Sequence, residues 1–199
     1  MGKFLKLFRQ TLIYGVATIL PRIISVILVR IHTDKDVISE VSEFGTLSLI
    51  FSYIILFNVI LSYGLETSFF RFYNKEKNKK EVLNTAAVSI IITSILFASL
   101  FSVFNINISD FTGIGTSYLT IIVYILVADA LTVIPFAYLR LKGSAIRYSF
   151  IKIVNVLTYF SLNIFFLILL KDLSVSGGIL KMIYIENFQV AYIFIANLI

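Results

Sequence analysis

The chain has 199 residues, of which 59% are apolar and 14% are charged, and its formal net charge is +6. Its mean hydropathy is +0.96, and the apolar residues come in blocks about as long as a helix needs to cross ~30 Å of hydrocarbon. These properties exclude a soluble globular domain, and the absence of period-two alternation excludes a membrane β-barrel. The chain has no cysteine and a single histidine, which excludes disulfides and cysteine or multi-histidine metal sites. We expect no cofactor.

The apolar blocks predict an all-α fold, a polytopic transmembrane helix bundle. Lys3, Lys6 and Arg9 precede the first block, but no cleavage site follows, so this block is predicted to be an uncleaved helix and not a signal peptide. In chain order, the predicted helices cover residues 11–31, 44–70, 82–104, 118–139 and 150–170, and a sixth begins near Asn187. The connectors are short and polar, which favours one bundle over residues 1–199. The sixth helix is too short to span, so we expect the chain to be the N-terminal part of a longer protein.

Lysine and arginine residues predict the orientation in the membrane. They are concentrated in the N-terminal tail and in the second and fourth connectors, whereas the other connectors carry only Arg30, Lys35, Lys171 and Lys181. The positive-inside rule therefore places the N-terminus and the even-numbered connectors in the cytoplasm. We interpret the basic cluster at residues 75–80 as a topology signal in contact with anionic membrane lipids, and we expect no nucleic-acid partner.

Two charged residues, Arg22 and Asp129, lie in the middle of apolar blocks. A charge at the centre of a bilayer costs roughly 2.5–3.5 kcal/mol on insertion scales, so it is retained mainly where it faces a protein interior or a polar cavity. Glu66 is a further charged residue within a predicted helix, close to the end of that helix. These three residues are the main candidates for a functional site.

Polar residues also form one stripe on each of three predicted helices. They are Thr11, Gly15, Thr18, Arg22 and Ser25 in the first, Ser48, Ser52, Ser62, Tyr63 and Glu66 with Asn58 at the margin in the second, and Asn155, Thr158, Tyr159 and Asn163 in the fifth. Such stripes are explained either by close helix packing or by a watered central cavity. The three charged residues favour a cavity, whereas Asn155 and Asn163 are open to both interpretations.

Several segments resemble a known family. They are Leu12–Gly15, Leu20–Ile23, Ser52–Tyr53, Asn58–Val59, Tyr63–Tyr73, Asp129–Ala130, Ile134–Ala137, Leu139–Leu141 and Ile151–Asn155. In order and spacing they resemble bacterial polysaccharide-biosynthesis membrane proteins, the O-antigen flippase-like members of the multidrug/oligosaccharidyl-lipid/polysaccharide exporter superfamily. The stretch Tyr63–Tyr73 is the most specific part.

The resemblance implies a fold of two six-helix lobes around a central cavity, of which this chain is the N-terminal lobe. It implies a flippase that moves an undecaprenyl-diphosphate-linked oligosaccharide across the bacterial inner membrane for lipopolysaccharide or other surface glycan. The C-terminal lobe of the same protein is then an implied partner, and residues 1–199 alone are not expected to transport. A drug or metabolite exporter of the same superfamily is the alternative.

This implied substrate gives the candidate residues roles. Arg22 is the candidate for binding the diphosphate, because a guanidinium binds phosphate bidentately and stays charged; the alternative is a structural ion pair with Asp129 at the same depth. Glu66 either lines the cavity, caps local polar groups, or pairs with Arg71 or another helix. Asn155 and Asn163 either contact sugar or bond across helices.

We expect a transporter and not an enzyme. Asp34-Lys35-Asp36 has the D-x-D spacing with which membrane glycosyltransferases hold a metal on a sugar diphosphate. Its connector has only about a dozen residues, too few to build a donor pocket.

The first testable prediction concerns topology: Lys77 faces the cytoplasm and Asn107 the opposite side. Because the chain has no cysteine, Lys77→Cys and Asn107→Cys each introduce a single labelling site, and the parent chain is the unlabelled control. An impermeant maleimide applied to intact cells should label only Asn107→Cys, since positive charge is retained inside. Labelling of Lys77→Cys with protection of Asn107→Cys would reverse the topology.

Overall fold

The computed structural model describes residues 2–34, 37, 41–170, 173, 185 and 188–198. The described residues form α-helices, one π-helical segment and connecting turns, with no strand among them, which confirms the all-α fold. The helices are α1 (Gly2–His32), α2 (Val41–Ser62), α3 (Leu65–Lys75), α4 (Lys79–Val103), α5 (Asn105–Thr112), α6 (Thr116–Leu141), α7 (Ala145–Ile164) and α8 (Gln189–Leu198). The π-helical segment Phe165–Leu169 continues α7.

Five segments are long and apolar enough to cross a membrane, which confirms a polytopic membrane protein. They are Phe8–His32, Phe44–Lys75, Lys79–Val103, Thr116–Leu141 and Ala145–Leu169. Each has at least 25 residues, or about 38 Å of helix, more than the ~30 Å of a hydrocarbon core. The apolar helix α8 is shorter, and the predicted sixth-helix start at Asn187 lies outside the described residues.

The described residues group into two compact units, which we treat separately. Unit 1 comprises the described parts of Met1–Ser48 and Ala145–Ile199, and unit 2 comprises Leu49–Ser144. The expectation that all helices form one bundle stays a prediction.

In unit 1, helices α1 and α7 pack side by side. Ile24 and Leu28 of α1 bury their side chains against Val156 of α7. Near the start of both helices, the Ser149 hydroxyl donates to the Ile13 carbonyl at 3.0 Å, and at the other end the side chains of His32 and Asn163 are hydrogen-bonded at 3.1 Å. The two helices therefore run in the same direction, as two odd-numbered crossings must.

In unit 2, α6 is the central helix and packs against α3, α4 and α5. The α6 residues with the least exposure recur at helical spacing, so one face of the helix is buried: Ile122, Leu126, Ala130, Ile134 and Ala137. On α4, the small residues Ala86 and Ser94 flank buried Ile90 on one face. Small side chains let helix backbones approach closely, which is how membrane helices gain packing energy.

The second span differs from its prediction as a continuous helix over residues 44–70. Tyr63 and Gly64 have φ angles of 33° and 68° and separate α2 from α3. Glycine adopts this left-handed conformation without a steric penalty, but tyrosine does so only when its surroundings impose it. The Tyr63 hydroxyl is hydrogen-bonded to Ser89 Oγ of α4 at 2.8 Å, which helps to hold the break in place.

The connectors are also more structured than predicted. The third connector contains the short helix α5, which ends at Gly113 with a φ of 70°. Helix α4 begins at Lys79, before the predicted start at Val82, because Asn78 Oδ1 caps it by accepting from the Glu81 backbone N–H at 3.3 Å.

The second prediction concerns α1–α7 packing. Asn163 is 1% exposed and His32 is 5% exposed, so Asn163→Ala leaves a buried imidazole nitrogen without its partner. This change should cost about 1–2 kcal/mol and lower the apparent Tm in detergent by roughly 2–6 °C. Asn155→Ala, on the exposed side of the same helix, is the matched control and should leave the Tm unchanged. Equal losses in both variants would contradict the packing role of Asn163.

Candidate functional site

Unit 2 contains a polar groove between the second span and α6. It has a volume of about 370 Å³ and is lined by Asn58, Val59, Ser62, Gly64, Glu66, Thr67 and Val133. We call it the polar groove. Amide, hydroxyl and carboxylate groups form part of its lining, although the two helices are apolar enough to span a membrane.

One end of the polar groove carries a hydrogen bond between the second span and α6. Asn58 Nδ2 donates to Asp129 Oδ2 at 2.7 Å. Both residues lie near the middle of their spans. Asn58 is partly buried and Asp129 is exposed on the chain surface, so the carboxylate keeps room for a further partner.

The other end of the polar groove carries an ion pair. The Arg140 guanidinium of α6 donates to the Glu66 carboxylate of α3, and Arg140 also lies over the Phe70 ring at 5.5 Å. Of the alternatives for Glu66, the structure shows pairing with another helix, and the same residue also lines the polar groove. The two side chains are 38% and 34% exposed, so the pair stabilises the fold by only about 0–1 kcal/mol.

These two contacts together define the geometry of the polar groove. Asn58 of α2 and Glu66 of α3 lie on either side of the break at Tyr63–Gly64, and their partners Asp129 and Arg140 follow in the same order on α6. The second and fourth spans are therefore parallel, and the groove lies between two cross-links. Charge is uneven along the groove. Arg140 balances the charge of Glu66, whereas Asn58 is a neutral amide and does not balance the charge of Asp129.

Arg22 lies in unit 1, in the middle of the first span and exposed. Two polar neighbours in its stripe bond to their own helix: Thr18 Oγ1 donates to the Tyr14 carbonyl and Ser25 Oγ to the Pro21 carbonyl, each at 2.8 Å. Within the described part of unit 1, the Arg22 guanidinium forms no ion pair. Of the three arginines in this span, Arg22 is the one near its middle, where a guanidinium can bind an anion within the membrane.

The two asparagines of the fifth predicted helix have different surroundings. Asn163 is buried, bonded to His32 and donating through Nδ2 to the Tyr159 carbonyl at 2.9 Å, so its carboxamide is used in helix packing. Asn155 is exposed on α7. The structure thus places Asn163 in the α1–α7 interface and leaves Asn155 on an open face.

The sequence did not identify two functional partners, Asn58 for Asp129 and Arg140 for Glu66. Asn58 stood at the margin of a polar stripe and Arg140 in the basic fourth connector, and both belong to segments that carry the family resemblance, but neither was assigned a partner. Arg22 and Asp129 belong to different units, so a shared cavity for these residues stays a prediction. Of the D-x-D segment, Lys35 and Asp36 lie outside the described residues.

Comparison of the chain with protein-family models, with curated proteins and with solved structures gives no match. Any functional assignment therefore depends on the residues themselves. Within the described part of the chain, no three side chains of the types His, Cys, Asp and Glu are grouped as a metal site would require. The polar groove is suited to binding through hydrogen bonds and charge.

The third prediction concerns the Asn58–Asp129 hydrogen bond. In a double-mutant cycle of Asn58→Ala and Asp129→Ala, the coupling energy should be about 0.6–2 kcal/mol, because each single variant leaves one polar group unpaired within a span. Unfolding of the purified protein in mixed micelles measures it. A cycle of Asn58→Ala with Asp110→Ala, an exposed residue of α5, is the control and should show no coupling. Equal coupling in both cycles would contradict the contact.

Proposed function

We propose that this protein is a membrane transporter, a flippase that moves a lipid-linked oligosaccharide across the inner membrane of a bacterium for surface polysaccharide assembly. The observation that carries the proposal is the Asp129 carboxylate, bonded to Asn58 in the middle of two spans beside a polar groove. A charge in this position is costly against lipid and is retained where water or a polar ligand reaches it. Apolar spans with an accessible polar site at mid-depth are typical of transporters.

The chemistry of the polar groove suits a sugar. Asn58 and Glu66 offer an amide and a carboxylate, and Ser62 and Thr67 offer hydroxyls. Sugar hydroxyl groups both donate and accept hydrogen bonds, so they match such a mixed lining better than an apolar ligand does. A volume of about 370 Å³ lies within the range of small-ligand sites.

The diphosphate of the proposed substrate needs a cation, and Arg22 is our candidate. Its planar guanidinium binds two phosphate oxygens at once and remains charged in a low-dielectric site. Arg22 also lies near the middle of its span, where a lipid-linked headgroup must pass. Asp129 would orient the guanidinium if the two residues share a cavity, as the sequence predicts.

The family resemblance supports the same proposal. Its most specific stretch, Tyr63–Tyr73, contains the left-handed residues Tyr63 and Gly64 and the groove residue Glu66. The stretch is thus the part of the second span that interrupts the helix and lines the polar groove. We extend the proposal to a cytoplasmic N-terminus and to a second lobe of the same protein as partner.

A drug or metabolite exporter of the same superfamily is the second candidate. One observation favours it: the charge of Asp129 is not balanced by Asn58, whereas Arg140 balances Glu66. A negative site in a low-dielectric span attracts organic cations. Deletion of the gene distinguishes the two candidates. Loss of surface glycan with accumulation of the lipid-linked precursor supports the flippase; unchanged glycan with greater sensitivity to cationic drugs supports the exporter.

The fourth prediction concerns Arg22 and is tested in cells that express the protein from its own gene. Arg22→Ala should lower surface glycan at least tenfold at normal protein level, and Arg22→Lys should recover only part, because an ammonium lacks the planar fork. Arg30→Ala, at the end of the same helix, is the control and should leave surface glycan unchanged. Immunoblots of surface glycan and of the protein measure both quantities.

Two outcomes would change this assignment. Normal glycan from Arg22→Ala would remove the substrate role of Arg22. Restoration of both protein level and transport by Arg22→Asp combined with Asp129→Arg would identify a structural ion pair, because exchanging the charges preserves the pair but moves the cation.

A further inference from the structure

Unit 2 has a second, larger cavity, between α3 and α4 and on the other side of α3 from the polar groove. Its volume is about 510 Å³. Apolar side chains form most of its wall: Leu65, Phe69, Phe72, Val82 and Ala86. We call it the hairpin cavity, because it begins at the turn between the second and third spans.

The hairpin cavity has the depth of one membrane leaflet. It extends from Glu76 and Asn78 at the turn to Ser89 within α4. Ser89 lies about 15 Å along the helix from the first residue of α4, which is half of the ~30 Å hydrocarbon core. An acyl chain of a phospholipid covers this same depth, with its headgroup at the turn.

The mouth of the hairpin cavity carries charges of both signs. Glu76 and Glu81 belong to its lining, and Asn78 Nδ2 holds Glu81 Oε2 at 2.9 Å. Lys77 and Lys80 are exposed beside them. Among the described residues, neither of these two carboxylates forms an ion pair, although lysines surround them.

One of the lysines at the turn is already used within the protein. The Lys79 ammonium donates to the Tyr73 carbonyl at 2.7 Å and lies 4.9 Å from the centre of the Tyr73 ring. This contact joins the end of α3 to the start of α4. The carboxylates and the neighbouring exposed lysines are thereby left to face the headgroup region.

We infer that the hairpin cavity binds one phospholipid whose headgroup carries an ammonium group, such as phosphatidylethanolamine. The ammonium donates to Glu76 and Glu81, and Lys77 or Lys80 takes the phosphate. One acyl chain lies along Phe69 and Phe72. The hydroxyls of Ser68 and Thr85 also line the cavity.

The charge pattern distinguishes this lipid from other membrane lipids. A phosphatidylglycerol headgroup offers its phosphate to the lysines but brings no cation to Glu76 and Glu81, so these two carboxylates stay without an ionic partner. A phosphatidylcholine headgroup has a cation but no N–H donor, so it cannot hydrogen-bond to the carboxylates. Phosphatidylethanolamine alone of the three offers both a cation and donors to these two residues.

The test, which is our fifth prediction, measures lipid binding to the purified full chain by native mass spectrometry, with phosphatidylethanolamine, phosphatidylcholine and phosphatidylglycerol of identical acyl chains. Phosphatidylethanolamine should bind about tenfold more tightly than the other two, and Glu76→Gln with Glu81→Gln should remove this preference. Both changes are at exposed positions and keep the side-chain size. Asp110→Asn, an exposed residue of α5, is the matched control and should keep the preference.

A second variant tests the acyl-chain part of the site. Thr85→Phe places a large ring in the hairpin cavity from an exposed position, and it should weaken all three lipids without changing their order. Equal binding of the three lipids by the parent chain would overturn the inference. Retention of the preference in the double Gln variant would also overturn it. The assay measures no transport, so its failure leaves the proposed flippase function unaffected.

Discussion

In hydrocarbon, every backbone N–H and C=O group must find its hydrogen-bond partner within the protein, because no water is present to replace it. Helical spans meet this requirement through their own backbone hydrogen bonds. Small hydroxyl side chains can likewise donate to carbonyl groups of their own helix. Thr18, Ser25 and Thr33 each donate to a carbonyl one turn back in α1. These three hydroxyls therefore need neither a cavity nor a neighbouring helix, whereas Ser149 of α7 donates across to α1.

Longer polar side chains carry more polar groups than their own helix satisfies, so they help to determine how helices pair. Asn58 bonds to Asp129, Glu66 to Arg140, and His32 to Asn163, each across two helices. The first two contacts fix the register of the second span on α6. A slip of one turn, about 5.4 Å, would break both contacts and leave four polar groups unpaired. Apolar packing alone would not prevent such a slip.

The sequence predicts the five spans because their apolar blocks are long, and it predicts the charged candidates because each interrupts such a block. It does not predict the break at Tyr63–Gly64, since a single glycine within an apolar helix is normally tolerated. The partners of Asp129 and Glu66 depend on which helices are neighbours, and periodicity within one helix contains no such information. The same reason applies to Asn163. The polar stripe that contains it can be seen in the sequence, but only the position of α1 shows that Asn163 lies in a helix interface.

Helix α3 separates two cavities. Glu66 and Thr67 face the polar groove, whereas Leu65, Ser68 and Phe69 line the hairpin cavity. Because α3 is a wall of both, a ligand that shifts α3 in one cavity changes the other, and any such coupling is equal in both directions. If the hairpin cavity binds a phospholipid as inferred above, the composition of the bilayer would reach the polar groove through this helix.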